Sequence, residues 1–197
     1  MSATPYAMAS VSRAGFIAVL IATARAEISR RRAYTIEIVR WPLWPILFFS
    51  VLVLGYQTAG REEIAGVSAS GFLLVGVFGM ALWSASIWTS GYAIESERAE
   101  GTILSLFLTP ASRSAVVLGY GLGALLISVL PTLLVIAVLA VISGATFNVD
   151  HPLTPVLAAL ILVGAAQATG YLLAGLFVLT RRANMLANFF QSPIYLL

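Results

Sequence analysis

The stretch Glu95-Ser-Glu-Arg-Ala-Glu-Gly-Thr-Ile-Leu-Ser-Leu-Phe-Leu-Thr-Pro110 decides the fold, because it is the charged interruption between two long apolar runs, 64–94 and 115–143. Charges of this kind cost about 2.5–3.5 kcal/mol each at the centre of a spanning helix. We therefore predict that the stretch is a loop in water between two membrane spans. The apolar residues after the first acids recur at helical spacing, as in a short amphipathic helix: Ala99, Ile103, Leu106 and Phe107.

Two interpretations of this stretch are open at the level of pattern. A charged turn followed by a short amphipathic helix suits a surface that touches a partner. A charged connector that keeps two spans from slipping has the same composition.

Composition places the whole chain in a membrane. Apolar residues make up 60% of it and charged residues 10%, whereas soluble domains are nearer 45–50% and 25%. Cysteine and lysine are absent, which excludes disulfides, thiolate metal sites, a Schiff-base lysine and the Gly-Lys-Ser/Thr phosphate loop. The single histidine, His151, excludes histidine-based metal motifs.

Residues 14–40 are predicted to form an amphipathic helix at the membrane interface. The apolar run 14–24 has eleven residues, too few to cross a core of ~30 Å. Ala22-Thr-Ala24 resembles a signal-peptide cleavage site, but the basic cluster follows the apolar run, where it opposes export. The residues expected in lipid are Phe16, Val19, Leu20, Ile28 and Tyr34. Those expected at the headgroups are Arg25, Arg30, Arg31 and Arg32.

The remaining apolar runs predict an all-α polytopic membrane protein with about five spanning helices. Residues 41–94 hold the first two spans, 95–112 form the loop, and 113–197 hold the rest. The four complete spans are placed at 41–56, within 64–94, at 114–143 and at 153–180. The last run, 185–197, rises only about 20 Å as a helix and cannot complete a span. We expect a fragment of a longer product, since a chain end in hydrocarbon leaves backbone groups without partners.

Four interior residues have predicted packing roles. Gly119 and Gly123 form a small-xxx-small pair, which favours close contact between helices. Pro131 is expected to kink the third span. Gln167 is expected to make an interhelical hydrogen bond rather than to bind cargo.

The arginine distribution predicts the orientation. Ten of the eleven arginines fall before the first span, in the central loop or after the fourth span, and Arg61 alone falls on the other side. By the positive-inside rule, the N-terminus and the central loop are cytoplasmic and the loop containing His151 is external.

With this topology, the central motif resembles a known family. Glu97-Arg98-Ala99-Glu100-Gly101-Thr102-Ile103-Leu104, followed by Leu106 and Thr109-Pro110, is similar to the permease subunits of type-2 ABC exporters. That family has an acidic turn, then Gly-Thr-Leu, then Thr-Pro, between its second and third spans. The interfacial helix matches the family as well, as do Asn184, Asn188 and Pro193, and the resemblance covers nearly the whole chain.

Two features depart from the family pattern. Family members often carry a further glutamate directly after Gly-Thr-Leu, where this chain has Ser105. The family also continues through an outer re-entrant segment and a sixth span, both of which are missing here. A role for the extra carboxylate therefore does not transfer to this chain.

The resemblance implies a permease that works as a dimer with two cytosolic ATPase subunits, in the inner (cytoplasmic) membrane. Residues 98–108 would form a coupling helix seated in a groove on the ATPase, which would bind the ATP and Mg²⁺. The chain itself would carry no cofactor and no enzyme activity. The residues implied at this contact are Glu97, Arg98, Glu100, Gly101, Thr102, Ile103, Leu104 and Phe107. Gly101 is expected inside the helix, and Glu95, Glu97 and Glu100 are expected to pair with Arg30, Arg31 or Arg32.

The cargo and the energy source have rival interpretations. An amphiphilic, drug-like or lipid-like cargo is expected, with polysaccharide export as the alternative within the superfamily. A secondary transporter is disfavoured because ion coupling usually needs ionisable residues inside the spans. A membrane hydrolase using His151 is disfavoured because no activated-serine motif accompanies it.

Overall fold

The structure is a computed structural model that describes residues 15–33, 35–64, 67–108, 111–145, 147, 151, 153–180 and 182–192. The side chains of residues 35, 37–41 and 105–107 lie outside the description. The helices are α1 Phe16–Arg32, α2 Thr35–Thr58, α3 Ala69–Ser86, a π-helical turn Ile87–Gly91, α4 Ala93–Ala99, α5 Ile103–Leu108, α6 Arg113–Ile142, α7 Leu153–Leu179 and α8 Ala183–Gln191. Between α2 and α3, β1 (Glu63–Ile64) pairs antiparallel with β2 (Val67–Ser68), with Glu63 opposite Ser68.

The long helices confirm the all-α polytopic membrane class. Within the described residues, three helical stretches are long and apolar enough to cross a membrane: Ala69–Gly91, Arg113–Ile142 and Leu153–Leu179. The apolar part of α2, Pro42–Thr58, is shorter. The final apolar run contributes the nine residues of α8, and residues 193–197 lie outside the description. Helix α6 continues through Pro131, and the kink expected there stays a prediction.

Helix α6 is the centre of the bundle. Its second half packs with α2 and α3, where Phe49, Leu74 and Val77 are buried. Nearer its middle, Val129 packs with Leu82 of α3 and with α7. These contacts are apolar because the α3, α6 and α7 sequences are apolar on most of their circumference.

The first half of α6 packs against α1 through its glycines. A Cβ on Gly119 would lie 2.7 Å from the carbonyl oxygen of Leu20, and one on Gly123 would lie 2.6 Å from that of Ala24. The expected close packing at Gly119 and Gly123 is therefore confirmed, and its partner is α1. Contacts ascend along both helices, so α1 and α6 run in the same direction. Val19 was expected in lipid, which is wrong, because it is buried against α6.

Helix α7 packs on the π turn through a polar seam. The hydroxyl of Ser90 donates to Gln167 Oε1 at 2.6 Å, which confirms the interhelical role expected for Gln167. Helix α8 packs on the same region. Gln191 Nε2 donates to the Ser84 hydroxyl at 3.2 Å, and Gln191 Oε1 accepts a hydrogen bond from the Trp88 indole. In the membrane interior these hydrogen bonds satisfy side chains that lack water.

The α1–α6 contact gives a testable stability difference. Gly123→Ala should destabilise the protein by about 1–3 kcal/mol, because the new methyl group overlaps the backbone of α1. Gly164→Ala on α7 is the matched control, since a Cβ there meets open space. Thermal unfolding in detergent should show a lower midpoint for Gly123→Ala only. Equal midpoints for the two variants would mean that α1 is not held against α6.

Candidate functional site

The acidic segment of the central stretch is a helix, not a loop. Helix α4 continues the line of α3 after the π turn and the single residue Tyr92, and it carries Glu95, Glu97 and Arg98. The expectation of a loop beginning at Glu95 is wrong for a physical reason. The charged side chains of α4 have partners on neighbouring helices, and these contacts stabilise the helical conformation beyond the apolar region.

Gly101 ends this helix. It has φ +73°, a left-handed conformation that suits glycine because it has no Cβ. The Gly101 amide donates to the carbonyl of Arg98 at 3.2 Å, and the Thr102 amide donates to that of Glu97 at 3.0 Å, which is the Schellman pattern of a helix C-terminus. The expectation that Gly101 lies inside a coupling helix is therefore wrong. It separates α4 from the six-residue α5.

Arg30 of α1 forms ion pairs with three carboxylates. Its guanidinium lies 2.7 Å from Glu27 Oε2, 3.1 Å from Glu100 Oε1 and 3.4 Å from Glu97 Oε1. The side chains of Glu27 and Glu97 are only 2% and 8% exposed. Burying a carboxylate is unfavourable unless a cation and hydrogen bonds compensate it, and here Arg30 and Arg31 do so. We call Glu27, Arg30, Glu97 and Glu100 the charge cluster.

Tyr120 of α6 completes the surroundings of the charge cluster. Its ring lies 5.7 Å from the Arg30 guanidinium carbon. Burial lowers the pKa of Arg30, but Glu27, Glu100 and Glu97 raise it, and the pKa ends above its usual value. A raised pKa favours the protonated state, so Arg30 stays charged at neutral and alkaline pH.

Arg98 ties the same turn to α7. Its guanidinium donates to the carbonyl oxygen of Val178 at 3.0 Å and pairs with Glu95 at 2.9 Å. Val178 lies in the last turn of α7, where free carbonyls and the helix dipole favour a cation. The end of α4 is therefore fastened to α1 through Glu97 and to α7 through Arg98.

Helix α5 leaves an apolar face uncovered. Leu104 and Leu108, one turn apart, are 67% and 76% exposed, whereas Ile103 is half-buried. Phe107 was expected to share the contact face with Ile103, but its side chain lies outside the described residues. Two exposed leucines at i, i+4 form one apolar ridge on a helix.

The structure brings four of the sequence-predicted site residues together. Glu97, Glu100 and Thr102 meet around Arg30, since the Thr102 hydroxyl donates to the Glu97 carboxylate. Arg31 pairs with Glu27, while Arg25 and Arg32 are exposed on α1. The predicted pairing of the acids with α1 is therefore confirmed for Glu97 and Glu100. Glu95 pairs with Arg98 instead.

Two residues at this site were missed by sequence reasoning: Glu27 of the charge cluster and Tyr120 beside it. Glu27 stands three and four residues before Arg30 and Arg31, a spacing that predicts ion pairs on a helix. Its spacing from Val19 and Ala24 also places it on the buried stripe. Tyr120 stands between the small residues Gly119 and Gly121, and no sequence signal marked it as a neighbour of Arg30.

Comparison with protein families decides the identity. The family model described as ABC-2 type transporter matches residues 8–197. The chain belongs to the ABC-2 type transporter family. Comparisons with curated proteins and with solved structures gave no match. As an ABC-2 permease, the chain is a multi-pass membrane protein of a transport system that in general includes an ABC ATPase.

The cluster thus lies at one end of an ABC-2 permease bundle. Arg30, Arg98 and Tyr120 of α6 lie there, whereas Arg61 lies at the opposite end, in a cavity of about 330 Å³ that it shares with Tyr56 and Ser143. Which of the two ends faces the cytoplasm stays a prediction.

Proposed function

We propose that this chain is the membrane-spanning subunit of an ATP-driven exporter, and that α5 with the turn at Gly101 is its contact with a separate ATPase. The proposal rests on two observations taken together: α4 is bound to other helices by ion pairs and hydrogen bonds, and α5 exposes apolar side chains. Glu97 and Arg98 tie α4 to two other helices, while Leu104 and Leu108 face outward. A partner that moves α5 would therefore act on the contacts that α4 makes with α1 and α7.

An ATP-driven mechanism fits the spans better than an ion-driven one. No Asp, Glu, Lys, Arg or His occurs within 69–91, 114–142 or 153–179. Transporters that couple to ions place ionisable groups in such segments. Two of the polar side chains that do occur there, Ser90 and Gln167, hydrogen-bond to each other.

We propose an amphiphilic, drug-like or lipid-like cargo. The groove between α6 and α7, about 470 Å³, is lined by apolar side chains that include Phe78, Leu126 and Val163. The groove between α2 and α3 is lined mainly by Trp44, Phe48 and Met80 and their apolar neighbours. Apolar linings of this kind suit a cargo with a hydrocarbon part.

The proposal is tested by purifying the chain with and without its ATPase. We expect the complex to hydrolyse ATP in a vanadate-sensitive way and to move a fluorescent amphiphilic dye across proteoliposome membranes. The isolated chain should show no thermal shift with Mg-ATP, because it has no lysine and no phosphate loop. A clear shift in the isolated chain, or dye movement without ATPase, would contradict the proposal.

The proposed orientation has its own test. Because the chain has no cysteine, single cysteines can be placed without background. His151→Cys should react in intact cells with an impermeant thiol reagent, and Ser105→Cys should react only after the membrane is opened. The reverse pattern would place the charge cluster outside the cell.

A further inference from the structure

The π turn sets the direction in which α4 presents its charged side chains. A π turn holds one more residue than an α-helical turn. One residue of an α-helix corresponds to about 100° of rotation and about 1.5 Å of rise. With the π turn, Glu97 faces Arg30, which itself lies over the Tyr120 ring. In an uninterrupted α-helix the same direction would be taken by Ser96.

The π turn is closely packed against α7. A Cβ on Gly170 would lie 2.8 Å from the carbonyl oxygen of Ser86 and 3.1 Å from Cβ of Ser90, and one on Gly91 would lie 3.2 Å from the Phe177 ring. Glycines on both surfaces let the two backbones approach closely, so a change of register in the π turn would be felt directly by α7.

One hydrogen bond is missing in this packed region. The Ser86 hydroxyl is buried and has no partner within the described part of the chain. A buried donor without a partner makes the observed arrangement less favourable than its packing suggests.

We propose that residues 87–91 have two backbone registers, the π-helical one observed and an α-helical one, and that the choice between them sets how α4 presents its charges to the charge cluster. We call the change between the two registers the switch. In the second register, residues 87–91 form an ordinary α-helix, and α4 is rotated by about 100° and moved about 1.5 Å along its axis. Ser96 then faces Arg30, the Arg30–Glu97 ion pair is broken, and Arg98 leaves the carbonyl of Val178.

The switch deepens the proposed function, on which it rests. Movement of α5 by an ATPase changes the rotation of α4, and the π turn converts that rotation into a change of backbone register beside α7. The Ser90–Gln167 hydrogen bond, 2.6 Å in the observed register, lies where this change occurs. The seam between α3 and α7 would thereby respond to the nucleotide state.

Deletion of Thr89 tests the switch. The π turn holds one residue more than an α-helical turn, so deleting one residue lets this segment form an ordinary α-helix with Glu97 still facing Arg30. The variant then has no second register to adopt. Thr89 is the residue to remove, because its hydroxyl donates to Ala85 of the same helix. We expect the variant to bind the ATPase subunit as the wild type does. Its rate of ATP-dependent dye movement should be at least tenfold lower. Transport at the wild-type rate would overturn the proposal.

Cysteine pairs report the register directly in the full chain bound to its ATPase. Tyr120→Cys with Glu97→Cys should cross-link in the absence of nucleotide. Tyr120→Cys with Ser96→Cys should cross-link at least threefold more with Mg-ATP and vanadate than without nucleotide. An unchanged yield for the second pair would overturn the switch, even if the Thr89 deletion does not fold. If the wild type neither binds an ATPase nor transports, the proposed function has failed instead.

Discussion

Replacing Leu104 and Leu108 together by Asp should abolish association with the ATPase and stop efflux, while membrane insertion is unchanged. Both leucines are exposed in the isolated chain, so the substitution removes little from its own fold. If the ATPase covers them, each contributes about 1.5–3 kcal/mol of burial. Two aspartates in the same groove should therefore weaken binding far more than tenfold.

The matched control carries the same two charges on the neighbouring segment. Ser112 and Ser114 are exposed at the start of α6, where carboxylates are favourable. Ser112→Asp with Ser114→Asp should bind the ATPase and transport like the wild type. Pull-down yield, efflux and membrane level are measured in the same cells. Normal association of the Leu104 and Leu108 double variant would make α5 a passive connector.

Arg30→Ala should destabilise the protein by about 3 kcal/mol and reduce efflux. The substitution removes a cation shared by Glu27, Glu97 and Glu100, and breaking a buried ion pair costs about 3–5 kcal/mol. We expect the lower end of that range, because the Arg30 side chain is one-third exposed and Arg31 still pairs with Glu27.

Arg32→Ala is the control for Arg30→Ala. Arg32 lies on the same helix and is exposed, so its loss should change stability by less than about 0.5 kcal/mol. Adding Glu97→Gln to Arg30→Ala should restore part of the loss, since it removes one uncompensated carboxylate. The measurement is thermal unfolding in detergent for the four variants of this cycle. Simple additivity would show that Arg30 and Glu97 do not interact.

The long helices could be predicted because hydrocarbon imposes a strong constraint on sequence. Apolar runs gave the third and fourth spans within a residue or two of α6 and α7. Close packing at the glycine pair of α6 could also be predicted, since small residues four positions apart allow helices to approach. The partner of that pair was not readable, because the spacing carries no information about which helix fits it.

The charged end was harder to predict than the spans. The energetic argument predicts that Glu95 and Glu97 lie outside hydrocarbon, but it does not predict that the helix ends there. Helix α4 continues to Ala99 because α1 and α7 supply partners that are distant in sequence. The exposed face of α5 depends on the direction in which the Gly101 turn sends the chain, and spacing alone could not favour Leu104 over Ile103. No residue pattern marked the π turn.

The pairing between α1 and α4 has a consequence for synthesis. Arg30 and Glu97 are separated by 67 positions, so at about 5–20 residues per second Glu97 is made roughly 3–13 s after Arg30. During that interval Glu27 has only the two arginines of its own helix as counter-ions. These local pairs neutralise the carboxylate of the nascent helix before any later helix exists. We expect α1 to wait at the bilayer surface and to dock only when α6 has been inserted.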